Sequence, residues 1–295
     1  ERDAWVGAVR SLIVTAGAGM VMLVGLLLLG AVTGTFSVPA LLEQGTPLGA
    51  EHRAIPIILL ILVGAAAKSA QVPLHVWLPG AMVAPTPVSA FLHSAALVAA
   101  GVYLLARLHP LFAVHPVWQA SVSVVGLASL LVGAFGALRQ RDLKALLAYS
   151  TVSQYGYIFL LLGLGTVEGL AAALFFFLGH AVLKSGLFLV VGAISFVTGV
   201  RSLDRLGRWR RKLPALGLAA APLAFGLAGL IPFLGFWTKE KLLTAILTAP
   251  IPRLRPQWRP FKERPCRTPC SLDRSSFCRY CRWCFLPARI SRFPC

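Results

Sequence analysis

Residues 65–95 read AAAKSAQVPLHVWLPGAMVAPTPVSAFLHSA, and the fold turns on how this stretch is read. Lys68 ends an apolar run that opens near Ala54. Pro73, Pro79, Pro85 and Pro87 then follow within twenty residues, and a second apolar run carries His93. Proline removes a backbone donor and clashes with the preceding turn, so it breaks helices. In a bilayer, broken backbone survives only where it is buried in protein or lines a water-filled cavity. Charge inside a membrane is costly and usually functional, so a lysine beside such a break is a candidate ion site.

The rest of the chain sets this stretch in a membrane. Of 295 residues, 57% are hydrophobic and 13% charged, with a mean hydropathy of +0.77. A soluble domain carries about a quarter charged residues. Apolar runs of about 20 residues, each long enough to span the hydrocarbon core, recur along the chain. The reading is an all-α polytopic membrane protein. The first residues, ERDAWVGAVR, show no secretory signal and no initiator methionine, as expected for a cut inside a longer chain.

The pattern predicts a first span over Leu12–Val32, whose AGAGM patch of small residues permits close helix contact. A second opens near Ala54 and reaches the broken stretch. Further spans are expected over Val88–Ala106, Val117–Leu138, Ala145–Leu164 and Leu170–Val197, with Arg107–His115 as an exit loop. A seventh runs from Leu216 to Ile231, meets Pro232 and continues through GFWTKEKLLTAIL, a second proline-interrupted segment carrying Lys239.

The net charge of +18 divides between loops and a tail. With the broken second segment counted as one crossing, Arg10, the turn Arg139–Lys144 and the loop Arg201–Lys212 fall on one side. The acidic loop around Glu43 and the Arg107 loop fall on the other, and the positive-inside rule makes the side with the basic clusters cytoplasmic. From Pro250 onward the apolar pattern stops. Residues 250–295 hold eleven Lys or Arg against Glu263 and Asp273, eight of the twenty prolines and all six cysteines. Cys278, Cys281 and Cys284 have metal-ligand spacing, yet no histidine lies nearby and no helix or strand period frames them. Such an Arg/Pro/Cys-rich stretch also suits disorder, a basic tail with a role, or translation in a shifted frame. The division is therefore a transmembrane domain over 1–249 and a tail over 250–295.

Four places in the domain could carry chemistry. Lys68 either snorkels to the interface, as long basic side chains do, or serves an ion path; Val72 to Pro79 offers no polar loop to receive it. His93 lies mid-span, where it either bonds a neighbouring backbone or relays protons. His180 and Lys184 are four apart in FFFLGHAVLKSGLFLV, so they share a helix face in the middle of the sixth span. Snorkelling is hardest there, and two such basic groups repel when both are charged. Lys239 follows the Pro232 break and is either a relay member or a polar helix end. His52, His75, His109 and His115 lie in or near loops and take no central role, His75 being the strongest of them. None of the ten acids stands clearly mid-membrane near Lys68 or the His180–Lys184 pair. A relay of alternating charge would then need a carboxylate from elsewhere. No nucleotide-binding glycine pattern, nucleophile triad or haem-ligand pair stands out, so neither a cofactor nor intrinsic catalysis is expected.

Four blocks carry a family resemblance. AAAKSAQVPLHVWLPGAMVAPTPVSAFLHSAALVAAGVYLLARL, DLKALLAYSTVSQYGY, GHAVLKSGLFLVVGA and GLIPFLGFWTKE resemble, in order, blocks of the antiporter-like subunits shared by complex I (the L, M and N subunits of NADH-quinone oxidoreductase) and Mrp cation/proton antiporters. The resemblance covers Glu1 to Ala249. It implies two inverted five-helix repeats, each with a broken helix, as in other inverted-repeat transporters. Pro73 and Pro232 would mark the equivalent breaks. It also implies a relay of Lys68, His93, His180, Lys184 and Lys239, with the acid partner of Lys68 on a helix upstream of Glu1. TGTFS and FLHSA lean towards the A or D subunits of Mrp antiporters, and AYSTVSQYGY towards the L subunit of complex I. Mrp-type large subunits often carry a lysine where Ala99 stands, a departure in this chain.

The resulting expectation is a proton-translocating subunit of a multisubunit sodium/proton antiporter in a bacterial inner membrane. Other membrane subunits are its partners, and nucleic acid is not. The alternatives are a proton-pumping subunit of complex I or a related membrane hydrogenase, and a non-conducting scaffold.

Overall fold

A computed structural model describes residues 2–44, 53–94, 96–206 and 213–249. The tail from Pro250, with its cysteines, lies outside the described residues, as do Glu51, His52, Arg208, Arg210, Arg211 and Lys212. Among the described residues the chain is helical throughout, apart from turns and one isolated bridge.

Helix α1 spans Arg2–Thr33, α2 Val38–Gln44 and α3 Ala54–Lys68. After a 3₁₀ turn at Leu74–Val76 come α4 (Trp77–Gly80) and a second 3₁₀ turn at Ala81–Val83. Helices α5 (Thr86–Ser94), α6 (Leu97–Phe112), α7 (Pro116–Leu138), α8 (Leu143–Gly163) and α9 (Val167–Thr198) follow. Helices α10 (Pro214–Ala228) and α11 (Leu234–Leu247) close the series. Among the described residues, five segments are long and apolar enough to cross a membrane: Ala4–Thr33, Thr86–Phe112 and the three helices α7 to α9.

Three expected boundaries move. The span expected over Val88–Ala106 is drawn as two helices. Ala96 N–H reaches back five residues to Phe91 O. The exit loop expected over Arg107–His115 is helical as far as Phe112, although Pro110 lies inside it. This places His109 within the bundle, fully buried, with His115 buried just beyond as the N-cap of α7. The expected first span also lengthens, because nothing between Arg2 and Leu12 breaks a helix.

Both broken segments are closed in the same way. After α3, Gln71 N–H reaches Ala66 O and Ala70 N–H reaches Ala67 O, with Ala70 left-handed at φ 50°. After α10, Leu230 N–H reaches Phe225 O and Gly229 N–H reaches Gly226 O, with Gly229 at φ 88°. Each is a Schellman cap, the usual closure of a helix C-terminus. Pro73 stands three residues beyond the left-handed residue in the first, and Pro232 three beyond it in the second; both peptide bonds are cis.

Glycine contacts position the scaffold. A Cβ on Gly126 of α7 would stand 2.8 Å from Gly156 O of α8, and one on Gly156 would stand 2.7 Å from Gly126 O. Only glycine allows two helices so close, a packing device typical of membranes. In the expected small-residue patch of α1, Ala18 O would stand 2.8 Å from a Cβ on Gly64 of α3. At one end of the bundle Arg201 O accepts Leu143 N–H, Arg141 O accepts Leu203 N–H, and Arg141 pairs with Asp204 at 3.0 Å. The turns after α7 and α9 are thereby tied together.

Candidate functional site

Helix α8 is the element from which the site is built. Asp142 caps it, its carboxylate accepting from Lys144 N–H at 2.8 Å and Ala145 N–H at 2.9 Å. This start sets the phase of the helix. Lys144, Leu147, Ala148, Thr151 and Tyr155 all fall on the buried face, at the three- and four-residue spacing of one helical stripe.

Two of the five expected relay residues, His180 and Lys184, meet that face, and a third, His93, packs against α9. Lys184 of α9 is fully buried, and its Nζ donates to Leu147 O at 2.8 Å and to Ser150 Oγ. Four residues earlier on α9, the buried His180 ring stands edge-on to Tyr155, centroids 5.1 Å apart and planes at 84°. His93 of α5, also fully buried, stacks on Phe188 of α9 at 4.5 Å and 20°. His93, His180 and Lys184 stand within electrostatic range of one another. Both nitrogens of each histidine, and the Tyr155 hydroxyl, have no hydrogen-bond partner among the described residues. Buried polar atoms are nearly always bonded to protein or ordered water. His93, for which backbone bonding and proton relay are the alternatives, makes no hydrogen bond among the described residues.

The other two lysines stand at the breaks instead. Lys68 is half-buried at the end of α3, with its Cε 3.9 Å from where a Cβ on Gly19 of α1 would stand. Among the described residues it has no hydrogen bond or ion pair. At this break neutral donors hold the helix end. Trp77 Nε1 donates to Ala67 O and Gln71 Nε2 to Ser69 O, both at 2.8 Å. At the second break the charge itself does so: Lys239 Nζ donates to Ala228 O at 2.7 Å and Leu227 O at 3.1 Å. Adjacent Thr238 packs on Gly179, beside His180. Pro73 and Pro232 are exposed.

Among the lysines, one buried group escaped the sequence reading. Lys144, assigned to a basic turn, lies inside α8 with 1% exposure, and its Nζ donates to Ala84 O at 2.8 Å. Ala84 follows the end of the first broken segment. The signal was the phase of α8: stepping back from Tyr155 through Thr151 and Leu147 lands on Lys144. Tyr155 was missed for the same reason. His75 is half-buried and edge-on to Tyr149 at 6.4 Å. The Arg141–Asp204 pair is the one ion pair among the described residues, and Asp142 stands within electrostatic range of the buried Lys144.

Comparison with known proteins settles the family. The model of the transmembrane region of NADH:quinone oxidoreductase and Mrp antiporters matches residues 3–253. The chain belongs to this family. Among curated members, the A1 subunit of the Na(+)/H(+) antiporter of Staphylococcus epidermidis is 41% identical over 254 residues, 82% of this chain and 32% of that one. Its counterpart in the Na(+)/H(+) antiporter of Bacillus subtilis is 42% identical over 253 residues, with the same coverage. The chain therefore spans about a third of the length of the curated relatives it matches. A solved Mrp complex from Dietzia sp. DQ12-45-1b superimposes with a TM-score of 0.79 at 40% identity, over 83% of this chain and 27% of that one. A membrane-bound sulfane sulfur reductase, an archaeal respiratory membrane complex, gives 0.73 at 26%, over 84% and 52%. This antiporter-family chain is thus an all-α membrane protein, as its composition and broken helices imply.

Proposed function

We propose that this chain moves protons along buried basic residues as part of a multisubunit monovalent cation/proton antiporter, with sodium as the exchanged cation. The observation that carries the reading is a buried basic group around α9: Lys184 and His180 stand against Leu147, Ser150 and Tyr155 of α8, and His93 stacks on Phe188. Imidazoles and amines so placed exchange protons without forming strong ion pairs, as a relay requires. Lys68 and Lys239 extend the line to the two breaks, and Lys144 to the basic end. By the positive-inside rule that end, with Arg139, Arg141 and Arg201, faces the cytoplasm of a bacterial inner membrane. The transmembrane unit is residues 1–249, followed by the basic tail; the family match over 3–253 supports that division. The relatives, whose names make them components of Na(+)/H(+) antiporters, support the choice of cation and the presence of partner membrane proteins.

The likeness to a respiratory membrane complex favours, as a second reading, a subunit that pumps protons with redox energy supplied by partners. Neighbouring genes separate the two: a set of small membrane proteins against flavin and iron–sulfur proteins. To test the relay, Lys184→Ala is placed in the full-length protein, and sodium-driven proton movement is measured in everted vesicles. Transport is expected to be lost while the complex assembles. Undiminished transport would remove the relay and leave a scaffold.

A further inference from the structure

Resting on the relay reading, we propose that Tyr155 is a further relay residue. Its hydroxyl passes the proton between His180 and the apolar half of the bundle.

The placement is specific. Along α8 the inner face meets first Lys144, then the Leu147–Ser150 pair that holds Lys184, then Tyr155 beside His180. Eleven residues separate Lys144 from Tyr155, about 16 Å of helix and so about half the hydrocarbon thickness. Beyond Tyr155 the buried residues of α8 are Gly156, Ile158, Phe159, Leu161, Leu162 and Gly163, with no polar side chain among them. Tyr155 is thus the last polar side chain of that face, mid-membrane.

Its hydroxyl is also out of place for a structural tyrosine. A buried tyrosine usually finds a hydrogen-bond partner for its hydroxyl, and leaving that group unpaired costs stability. Here the ring is fully buried, edge-on to His180 and to Phe177, and the hydroxyl has no partner among the described residues. Phenylalanine would fill the same space without that cost. The hydroxyl is therefore a polar atom that packing does not require, placed beside an imidazole whose two nitrogens are equally unpaired.

The step balances. Protonated His180 gives its proton, through one bridging water, to the phenol oxygen. The phenol releases its own proton to a water on its far side and ends neutral, its O–H reversed. A hydroxyl can do this because it donates and accepts at once.

The test is Tyr155→Phe in the full-length protein, in complex with its partners, compared with His180→Ala. Sodium-driven proton movement is measured in H₂O and D₂O, and thermal stability on the purified complex. Transport is expected to fall about a hundredfold or more, the worth of a positioned proton-transfer group. The ratio of rates in H₂O and D₂O is expected to rise, and the thermal midpoint to stay or increase. Unchanged transport in Tyr155→Phe with a dead His180→Ala overturns this proposal alone. Slower transport with a lowered thermal midpoint also overturns it, since the hydroxyl would then be structural. Full transport in His180→Ala removes the relay reading itself.

Discussion

Lys239 Nζ donates to Ala228 O at 2.7 Å, so an ammonium on the helix after the second break caps the helix before it. Side chains tilt towards the N-terminus of their own helix. A lysine on the helix following a break therefore points into the break. Lys68, on the helix preceding the first break, points the other way, along α3 towards Gly19. The carbonyl equivalent to Ala228 O in the first break is Ser69 O, and the neutral amide of Gln71 holds it. The two lysines thus differ in what they do for the fold.

That difference predicts opposite stability outcomes for the same substitution. Lys239→Ala frees Leu227 O and Ala228 O at a helix end. It is expected to cost about 1–3 kcal/mol, the range for losing a hydrogen bond to a charged group. Lys68→Ala removes no hydrogen bond and is expected to leave the thermal midpoint unchanged while transport is lost. Thermal unfolding of the two purified variants, alongside vesicle transport, checks both arms.

The left-handed residues give a second contrast. Ala70 holds φ 50° where the second break has Gly229 at φ 88°. The left-handed region costs a non-glycine residue about 1–2 kcal/mol. Ala70→Gly is expected to raise stability slightly, by about 1 kcal/mol or less after the loss of chain entropy on folding. Gly229→Ala is expected to destabilise, and for a second reason: its Cβ would stand 2.7 Å from Lys239 Cδ and push the ammonium from its carbonyls. Denaturation midpoints of the pair decide it.

Lys144 offers a test of a residue that its sequence neighbourhood disguised. Lys144→Met keeps the volume of the stem but leaves Ala84 O unsatisfied, at an expected cost of about 1–3 kcal/mol. Transport is expected to fall at least about tenfold if the basic end of α8 feeds Lys184, since about 1.4 kcal/mol corresponds to one decade. Lys144→Arg keeps the charge and is expected to recover assembly before transport. Vesicle transport with immunodetection of the assembled complex distinguishes the two effects.

The parts legible in the sequence are those that repeat or that break a rule. The broken helices were visible because Pro73 and Pro232 interrupt apolar runs, and His180 with Lys184 because charge four residues apart shares a face. Lys144 and His109 were misplaced because each sits beside charged or proline-bearing residues that read as loop: Asp142 is a helix cap, and Pro110 lies inside a helix that continues to Phe112. Local composition could not reveal that either side chain turns inward. The interruption after His93 has no breaker residue, so no local signal announced it. The capping of Ala228 O by Lys239 was equally hidden, because it depends on how two half-helices approach across a turn.

Ser150 isolates how Lys184 is held. The ammonium donates to Ser150 Oγ and to Leu147 O, and the same carbonyl also accepts from the Ser150 and Thr151 hydroxyls at 3.0 and 2.9 Å. Ser150→Ala removes one partner of the ammonium and one competitor for the carbonyl, leaving Leu147 O to Lys184 and Thr151. The fold loses little, because Ser150 lies on a well-packed helix and alanine is a strong helix former. The charged form of Lys184 loses a hydrogen bond, worth about 1.5 kcal/mol at the low end for a charged donor. Transport is expected to slow about tenfold by that measure with assembly unchanged, whereas Ser150→Thr, which keeps the hydroxyl, is expected to transport near the wild-type rate. Loss of transport in both variants would show that the position tolerates no change of shape, and that the hydrogen bond is not what matters there.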